Sequence, residues 1–370
     1  MIIKDELYGT MEFGDLEKRI IDSADFQRLH RIKQMALTYL VYPGATHTRF
    51  EHSLGTCHLT SEIADKLHLG KDEKEKIRLY ALIHDVGHVA FSHESEVTLK
   101  KYLGDHEKIG EELVLNGEIG EILKENYNPE EIIGLEKNQH GKIVTSDLGA
   151  DRMDYLKRDS QNTGAAYGII DVDRILHTLR LNNGELVLTE GGLTSAESLL
   201  IGRFMMFSNV YMHKTVRIAA AMLRRMIMRA IESGFDPKGF LGYGDEEALV
   251  GMAKIDTAKE YVDRIRERRL YKEVLSLDVS GIASEDVEEL EKSIMQKAKC
   301  DVIIDYPNTI FKPVDIDVSV DGKLVPITKI SDIVEALKVS EKKRQKLMVI
   351  GEEKNRDMIM KAARKEIKEL

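Results

Sequence analysis

The chain has no tryptophan, 13 tyrosines and 9 phenylalanines, only 6 prolines and 2 cysteines in 370 residues. Cys57 and Cys300 are far apart and show no CxxC spacing, which excludes a disulfide scaffold and points to reduced thiols. No apolar run reaches the roughly 18 residues of a membrane span, and no signal-peptide pattern opens the chain, so a soluble, cytoplasmic protein is expected. The formal net charge of -10 argues against a surface-wide nucleic-acid face, but leaves room for a local basic groove holding a small anion. Scarce proline, 42% apolar and 32% charged residues describe a helix-rich globular chain with a sizeable core.

Apolar residues recur at three- and four-residue spacing in Glu17 to Ile21, Asp25 to Leu37, His52 to Leu67, Lys74 to Asp85, His106 to Leu115 and Gly117 to Tyr127. Asp147 to Ser160 and Leu193 to Ile231 also read as helical. Ile2 to Gly14 suggests a short hairpin or irregular arm, and strands are predicted at Ile175 to Leu181 and Glu185 to Thr189 around an Asn-Gly turn. Composition changes near Ser233 to Pro237. Two charged helices, Asp245 to Lys254 and Thr257 to Tyr271, then lead into strands at Val302 to Asp305, Asp315 to Val320, Leu324 to Thr328 and Leu347 to Ile350. Helices at Ile330 to Leu337 and Glu352 to Lys368 complete that part. The expected class is mainly α, a helical core over 1–235, a helical extension over 236–300 and a small mixed α/β lobe over 301–370.

What the chain does have is histidine in one place: nine of its twelve lie at positions 30, 47, 52, 58, 68, 84, 88, 93 and 106. The adjacent pair His84-Asp85 closes an apolar helical run, His52 lies before it and Asp151 well after it. Buried ionisable groups need a partner, and a divalent cation supplies one for this mixture. Two imidazoles and two carboxylates leave coordination positions open, which suits Mg²⁺, Mn²⁺, Fe or Ni better than a closed structural Zn²⁺ site. An open site that holds a water and a phosphate oxygen together is the minimum for metal-assisted phosphoester hydrolysis. Arg49, Arg152, Lys157 and Arg203 provide charges that a polyphosphate needs. His84 and His88 could share a helical face as in a zinc-protease motif, but Gly87 weakens that helix and the motif leaves His52 and Asp151 unexplained.

Five segments in order, Asp25 to Met35, Tyr42 to Gly55, His84 to His93, Asp151 to Asp159 and Tyr211 to Lys214, resemble the HD-domain phosphohydrolases. More narrowly they are similar to the deoxynucleoside triphosphate triphosphohydrolases of the SAM-and-HD-domain type, without a preceding SAM-type domain. The resemblance implies an HD-domain helical bundle and a divalent metal (Mg, Mn, Fe, Ni or Zn) on His52, His84, Asp85 and Asp151. It implies a nucleotide substrate whose triphosphate meets Arg49, Arg152, Tyr155, Arg203, Tyr211, His213 and Lys214. His88, His93 and His106 would surround the scissile bond, with His93 the general acid and Glu96 orienting it. Gln34 and Asp159 would read the sugar 3′-hydroxyl, and Tyr155 would exclude ribonucleotides. Water attack at the α-phosphorus would release a deoxynucleoside and tripolyphosphate.

The same resemblance implies homodimer or homotetramer assembly. Asp22, Gln27, Arg268 and Lys272 match positions of a regulatory nucleotide site in the family, whereas the basic N-terminal arm of nucleotide-activated relatives is nearly absent. An HD hydrolase of nucleoside monophosphates or cyclic nucleotides, and a catalytically silent nucleotide-binding regulator, are the alternatives.

Overall fold

The computed structural model describes residues 1–278, 284–306, 314, 316–342 and 346–367. Its chain forms two compact units. One comprises 1–207, 237–248 and 313–337, and the other 208–236, 249–312 and 338–370. The expected divisions at 235 and 300 follow composition along the chain, whereas the units are assembled from interleaved segments.

The first unit opens with an antiparallel hairpin, Ile2–Asp5 and Gly9–Glu12, the first of the two expected alternatives. Helix Asp15–Asp22 follows. The long helix Arg49–Lys66 starts at Thr48, whose amide and hydroxyl both donate to the Glu51 carboxylate. That cap sets Arg49 on the first turn and His52 three residues on, facing inward. Helices Lys71–Ile83 and Ala150–Thr163 pack on Arg49–Lys66. Between them lie Ser92–Leu103, His106–Asn116 and several short helices.

The continuous helix expected over Asp25 to Leu37 does not form. Helix Ala24–Gln27 passes into the 3-10 turn Arg28–Arg31, and Ile32 is extended. Lys33 bridges Thr48, the Gln34 amide donates to the His47 carbonyl and the Arg49 amide to the Ile32 carbonyl. The apolar spacing correctly marks Phe26, Leu29, Ile32 and Met35 as buried, but backbone pairing with the segment before His52 overrides helix propensity.

Ile175 to Thr178 also differs from expectation, ending helix Val172–Thr178 rather than opening a strand. The strand is Leu179–Asn182, joined to Glu185–Thr189 through Asn183-Gly184 with φ of 49° and 83°. These angles fit the two-residue hairpin turn that such a pair favours. Glu185–Thr189 pairs in parallel with Asp317–Val320, which pairs with Lys323–Pro326.

In the second unit, helix Lys214–Glu232 packs on Asp256–Arg266. Strand Lys346–Gly351 lies between Lys272–Asp278 and Val302–Asp305, antiparallel to both. Val302, Leu347, Val349, Ile294 and Ile359 bury this sheet against helices Ser284–Ala298 and Arg356–Ile367. Strand Lys272–Asp278 and helix Ser284–Ala298 are absent from the sequence reading, and two positions it assigned, Asp315 and Lys368, lie outside the described residues. Among the described residues no helix is long and apolar enough to cross a membrane.

Candidate metal centre

Helix Lys71–Ile83 ends one residue before His84, so His84 and Asp85 sit on the turn that leaves it rather than inside it. His84 Nδ1 donates to the Ala81 carbonyl at 2.7 Å, which fixes the tautomer and leaves the Nε2 lone pair pointing away. That Nε2 is buried and has no hydrogen-bond partner. Asp85 Oδ1 is 3.5 Å from it and Asp151 Oδ1 3.8 Å. From the neighbouring helix, His52 Nε2 stands 3.1 Å from Asp151 Oδ1 and 3.6 Å from Asp85 Oδ2. His52, His84 and Asp85 each bring one ligand atom within 4.8 Å of the others.

The electrostatics ask for a cation at this point. Burial alone would lower the His52 imidazole, yet the hydrogen bonds to Asp151 and Asp154 lift it to about 10. Asp151 and Asp85 are held well below the usual carboxylate range despite burial, Asp151 by His52 and His84, Asp85 by Arg49 and the two neighbouring histidines. An unpartnered imidazole nitrogen between ionised carboxylates is the donor set of a divalent-metal site. The residues therefore fit the metal.

His52 is held from behind. Its Nδ1 is 2.7 Å from Asp154 Oδ2, and Arg158 grips both oxygens of Asp154 at 2.9 Å while reaching Asp5 Oδ2 at 2.8 Å. This buried series ties the N-terminal hairpin to the candidate ligand. It also explains Gly55, where a Cβ would lie 2.0 Å from Asp154 Oδ1.

Beyond the ligands, the His88 ring stacks on His106 at 4.1 Å, and His93 meets both edge-on. Burial, then the Arg49 charge, pushes His88 down. Glu96 accepts from His106 Nδ1 at 2.7 Å and is 3.5 Å from His93 Nδ1. The sequence reading paired Glu96 with His93, whereas its short hydrogen bond goes to His106. His88 Nε2 joins the two groups, 3.3 Å from Asp85 Oδ1, and Arg49 braces them, with Nη1 2.5 Å from Asp85 Oδ2 and Nε donating to Ser92 Oγ at 3.0 Å, next to His93.

Residues 49–172 match the HD domain and residues 170–368 the HD associated region. The chain belongs to the HD-domain family. An uncharacterized protein of Methanocaldococcus jannaschii is 36% identical over 92% of this chain and 76% of its own length. A solved phosphohydrolase from Bacteroides thetaiotaomicron superposes with a TM-score of 0.72 at 27% identity, covering 95% of this chain and 99% of its own. The deoxynucleoside triphosphate triphosphohydrolase SAMHD1 homolog of Dictyostelium discoideum is 27% identical over 75% of this chain and 61% of its own. With its ligand set, this HD-domain protein is a metal-dependent phosphohydrolase.

Gln34, Arg152, Tyr155, Lys157, Asp159 and Arg203 belong to the first unit. Arg152 and Arg203 both ion-pair with Asp147, Arg203 at 3.3 Å. Tyr155 lies one helical turn beyond Asp151 on the same helix. Asp159 is buried, with Oδ1 2.7 Å from His47 Nε2, and Gln34 Oε1 is buried without a hydrogen-bond partner. Lys157 instead lies over the Tyr8 ring.

Tyr211, His213, Lys214, Arg268 and Lys272 belong to the second unit. There His213 Nδ1 accepts the Thr215 amide and Lys214 faces Glu273 at 3.9 Å. Asp22 pairs with Lys18, and Gln27 donates to the Ile21 carbonyl.

Residue-by-residue reading missed Asp154, Arg158, Asp5, Asp245 and Arg28. Arg28 donates to the Val86 and His88 carbonyls at 2.7 Å, clamping the turn after His84, and burial pushes it down to about 10. A charged residue amid the buried Phe26, Leu29 and Ile32 was the available signal.

Proposed function

We propose that this chain hydrolyses deoxynucleoside triphosphates to a deoxynucleoside and tripolyphosphate. The observation that carries the reading is the meeting of an open His52, His84, Asp85 ligand set with the His88, His93, Glu96, His106 cluster, where His88 Nε2 stands 3.3 Å from Asp85 Oδ1. A divalent ion held by His52, His84, Asp85 and Asp151 would supply Lewis-acid polarisation of the phosphate and a water activated near neutral pH.

His93 is exposed at the rim of the cluster and is suited to give its proton to the leaving 5′-oxygen as the α-phosphorus bond to that oxygen breaks. Glu96 and His106 would hold the cluster's charge and replenish that proton. Arg49, Arg152 and Arg203 are the groups for the triphosphate, since a carboxylate-anchored guanidinium is pre-positioned for phosphate oxygens. Gln34, Tyr155 and Asp159 would face the sugar. The similarity to a relative named as a deoxynucleoside triphosphate triphosphohydrolase supports the same substrate class. Assembly as a homodimer or homotetramer is part of this reading.

Anion-exchange separation of products from each dNTP and NTP, with Mg²⁺, Mn²⁺, Co²⁺ or Ni²⁺, tests it. Intact tripolyphosphate with deoxynucleoside, lost in Asp151→Ala, is expected. Release of monophosphate or pyrophosphate, or turnover of nucleoside monophosphates or cyclic nucleotides alone, would replace this substrate with another phosphoester.

A further inference from the structure

His47 is 4% exposed, and the two nitrogens of its ring are treated differently. Nε2 stands 2.7 Å from Oδ1 of the buried Asp159, whereas Nδ1 is buried without a hydrogen-bond partner. A carboxylate only accepts, so Nε2 carries the proton of that bond. An imidazole retained for packing alone is expected to satisfy both nitrogens. Through its backbone, His47 reaches a second residue: its carbonyl accepts the Gln34 amide at 3.0 Å. The antiparallel bridge between Lys33 and Thr48 sets Gln34 and His47 opposite each other, with side chains on a common face. Gln34 Oε1 is likewise buried and without a partner. The loop ahead of His47 is fixed against the helix that carries Asp159, since a Cβ on Gly44 would stand 2.3 Å from the Asn162 carbonyl oxygen. Asp151, Tyr155 and Asp159 recur every four residues along that helix, so one face leads from a candidate metal ligand to Asp159.

We propose that His47 is a positioning residue for recognition of the substrate's sugar. It holds Asp159 through Nε2 and Gln34 through its carbonyl, and so sets a carboxylate and an amide to meet one hydroxyl group, the 3′-hydroxyl of a deoxyribose. The Asp159 carboxylate accepts, and the Gln34 amide donates or accepts according to which way it is turned, so the pair satisfies both roles of a hydroxyl. A sugar without that group leaves the buried end of the Gln34 side chain unpaired, the condition under which polar sites discriminate most strongly. This assignment rests on the dNTP reading above and on the sugar-facing role given there to Gln34 and Asp159.

Steady-state hydrolysis of a dNTP and of the matching 2′,3′-dideoxynucleoside triphosphate by the whole, metal-loaded chain tests it. Wild type is expected to favour the dNTP. His47→Leu removes the donor at similar volume, and should lower kcat/KM for the dNTP about tenfold or more, mainly through KM, and for the dideoxy analogue less than about threefold. His47→Gln, whose amide supplies a donor toward Asp159, should restore most of the preference. His47→Leu should cost nothing further in an Asp159→Ala background. Where melting curves show His47→Leu unfolded, His47→Asn, with a shorter reach, takes its place with the same expectation. Equal losses on the two substrates, or full additivity with Asp159→Ala, would overturn the positioning role while leaving the dNTP reading intact. Wild-type turnover of dNTPs with no preference for the 3′-hydroxyl would remove the sugar-facing role of Gln34 and Asp159 and this assignment with it. Wild type inactive on every dNTP would overturn the substrate and the assignment together.

Discussion

Asp245 reaches across the fold of the first unit to Phe91: its Oδ1 accepts the Phe91 amide at 2.8 Å, and its Oδ2 the Lys33 amide at 3.0 Å. Phe91 and Ser92 both have left-handed backbones, with φ of 64° and 52°, a conformation that costs a non-glycine residue about 1–3 kcal/mol. The turn persists because Asp245 and the Ser92 contact with Arg49 fix it, and it delivers His93.

Asp245→Ala should therefore act on chemistry as well as stability. A buried and a part-buried amide lose their acceptor, costing about 2–4 kcal/mol, so calorimetry should show Tm falling by several degrees. Steady-state hydrolysis should show kcat at least tenfold lower with KM little changed. An unchanged kcat beside a lowered Tm would confine Asp245 to stability.

Gly55→Ala tests the support behind His52. The added methyl would meet Asp154 Oδ1 at 2.0 Å and Arg158 Nη2 at 2.4 Å, and both side chains are buried and mutually bonded. Displacing Asp154 should weaken divalent-metal affinity by about 10–100-fold, measured by titration calorimetry with Mn²⁺, while far-ultraviolet circular dichroism stays helical. Native affinity in that variant would show that Asp154 does not govern the ligand.

The sequence made the ligand candidates legible because each carries its own signal: a histidine cluster, a His-Asp pair at the end of an apolar run, an aspartate opening a helix. What holds them was less legible. Asp154, Arg158 and Asp5 gain meaning only when residues 153 positions apart form an ion pair, and Asp245 only when it meets an amide 154 positions away. Helical periodicity likewise found the core of Asp25 to Leu37 but not its backbone, because the pairing of Ile32 to Gln34 with residues 47–49 is non-local.

Glu96 and His106 give a pH signature. Despite burial, His106 and His93 hold the Glu96 carboxyl well below its usual range, and against burial Glu96 and Asp85 raise His106. The depressed Glu96 stabilises the fold above its unfolded value of about 4.3 and ceases to as pH falls through its folded value. The raised His106 stabilises below about 6.5 and ceases to as pH rises through its folded value. Both contributions coexist between about pH 4.5 and 6.5. Glu96→Gln should therefore lose about 1–2 kcal/mol near pH 6 and much less at pH 9, read from melting curves across pH. A difference constant across pH would mean that the pair is not ionised.

Gly87 carries the closest backbone approach in the candidate centre, and its replacement should be the most damaging conservative change there. A Cβ would stand 2.0 Å from the His106 carbonyl oxygen and 2.3 Å from the Gly110 amide nitrogen, and backbone atoms cannot swing aside as a side chain can. Gly87→Ala must either push the helix His106–Asn116 outward or twist the turn that carries His84, Asp85 and His88. Either movement separates His88 from the His106 ring it stacks on. Overpacking of this kind costs about 1–3 kcal/mol or more, so Tm should fall by several degrees and hydrolysis by at least a hundredfold. Gly134→Ala supplies the control. Nothing lies within 4 Å of its added methyl, it ends the helix Pro129–Gly134, and its helix propensity improves by up to about 1 kcal/mol. Native-like activity and an equal or higher Tm are expected there. Equal behaviour of the two variants would show that the contact between the His84 turn and the His106 helix does not hold the centre together.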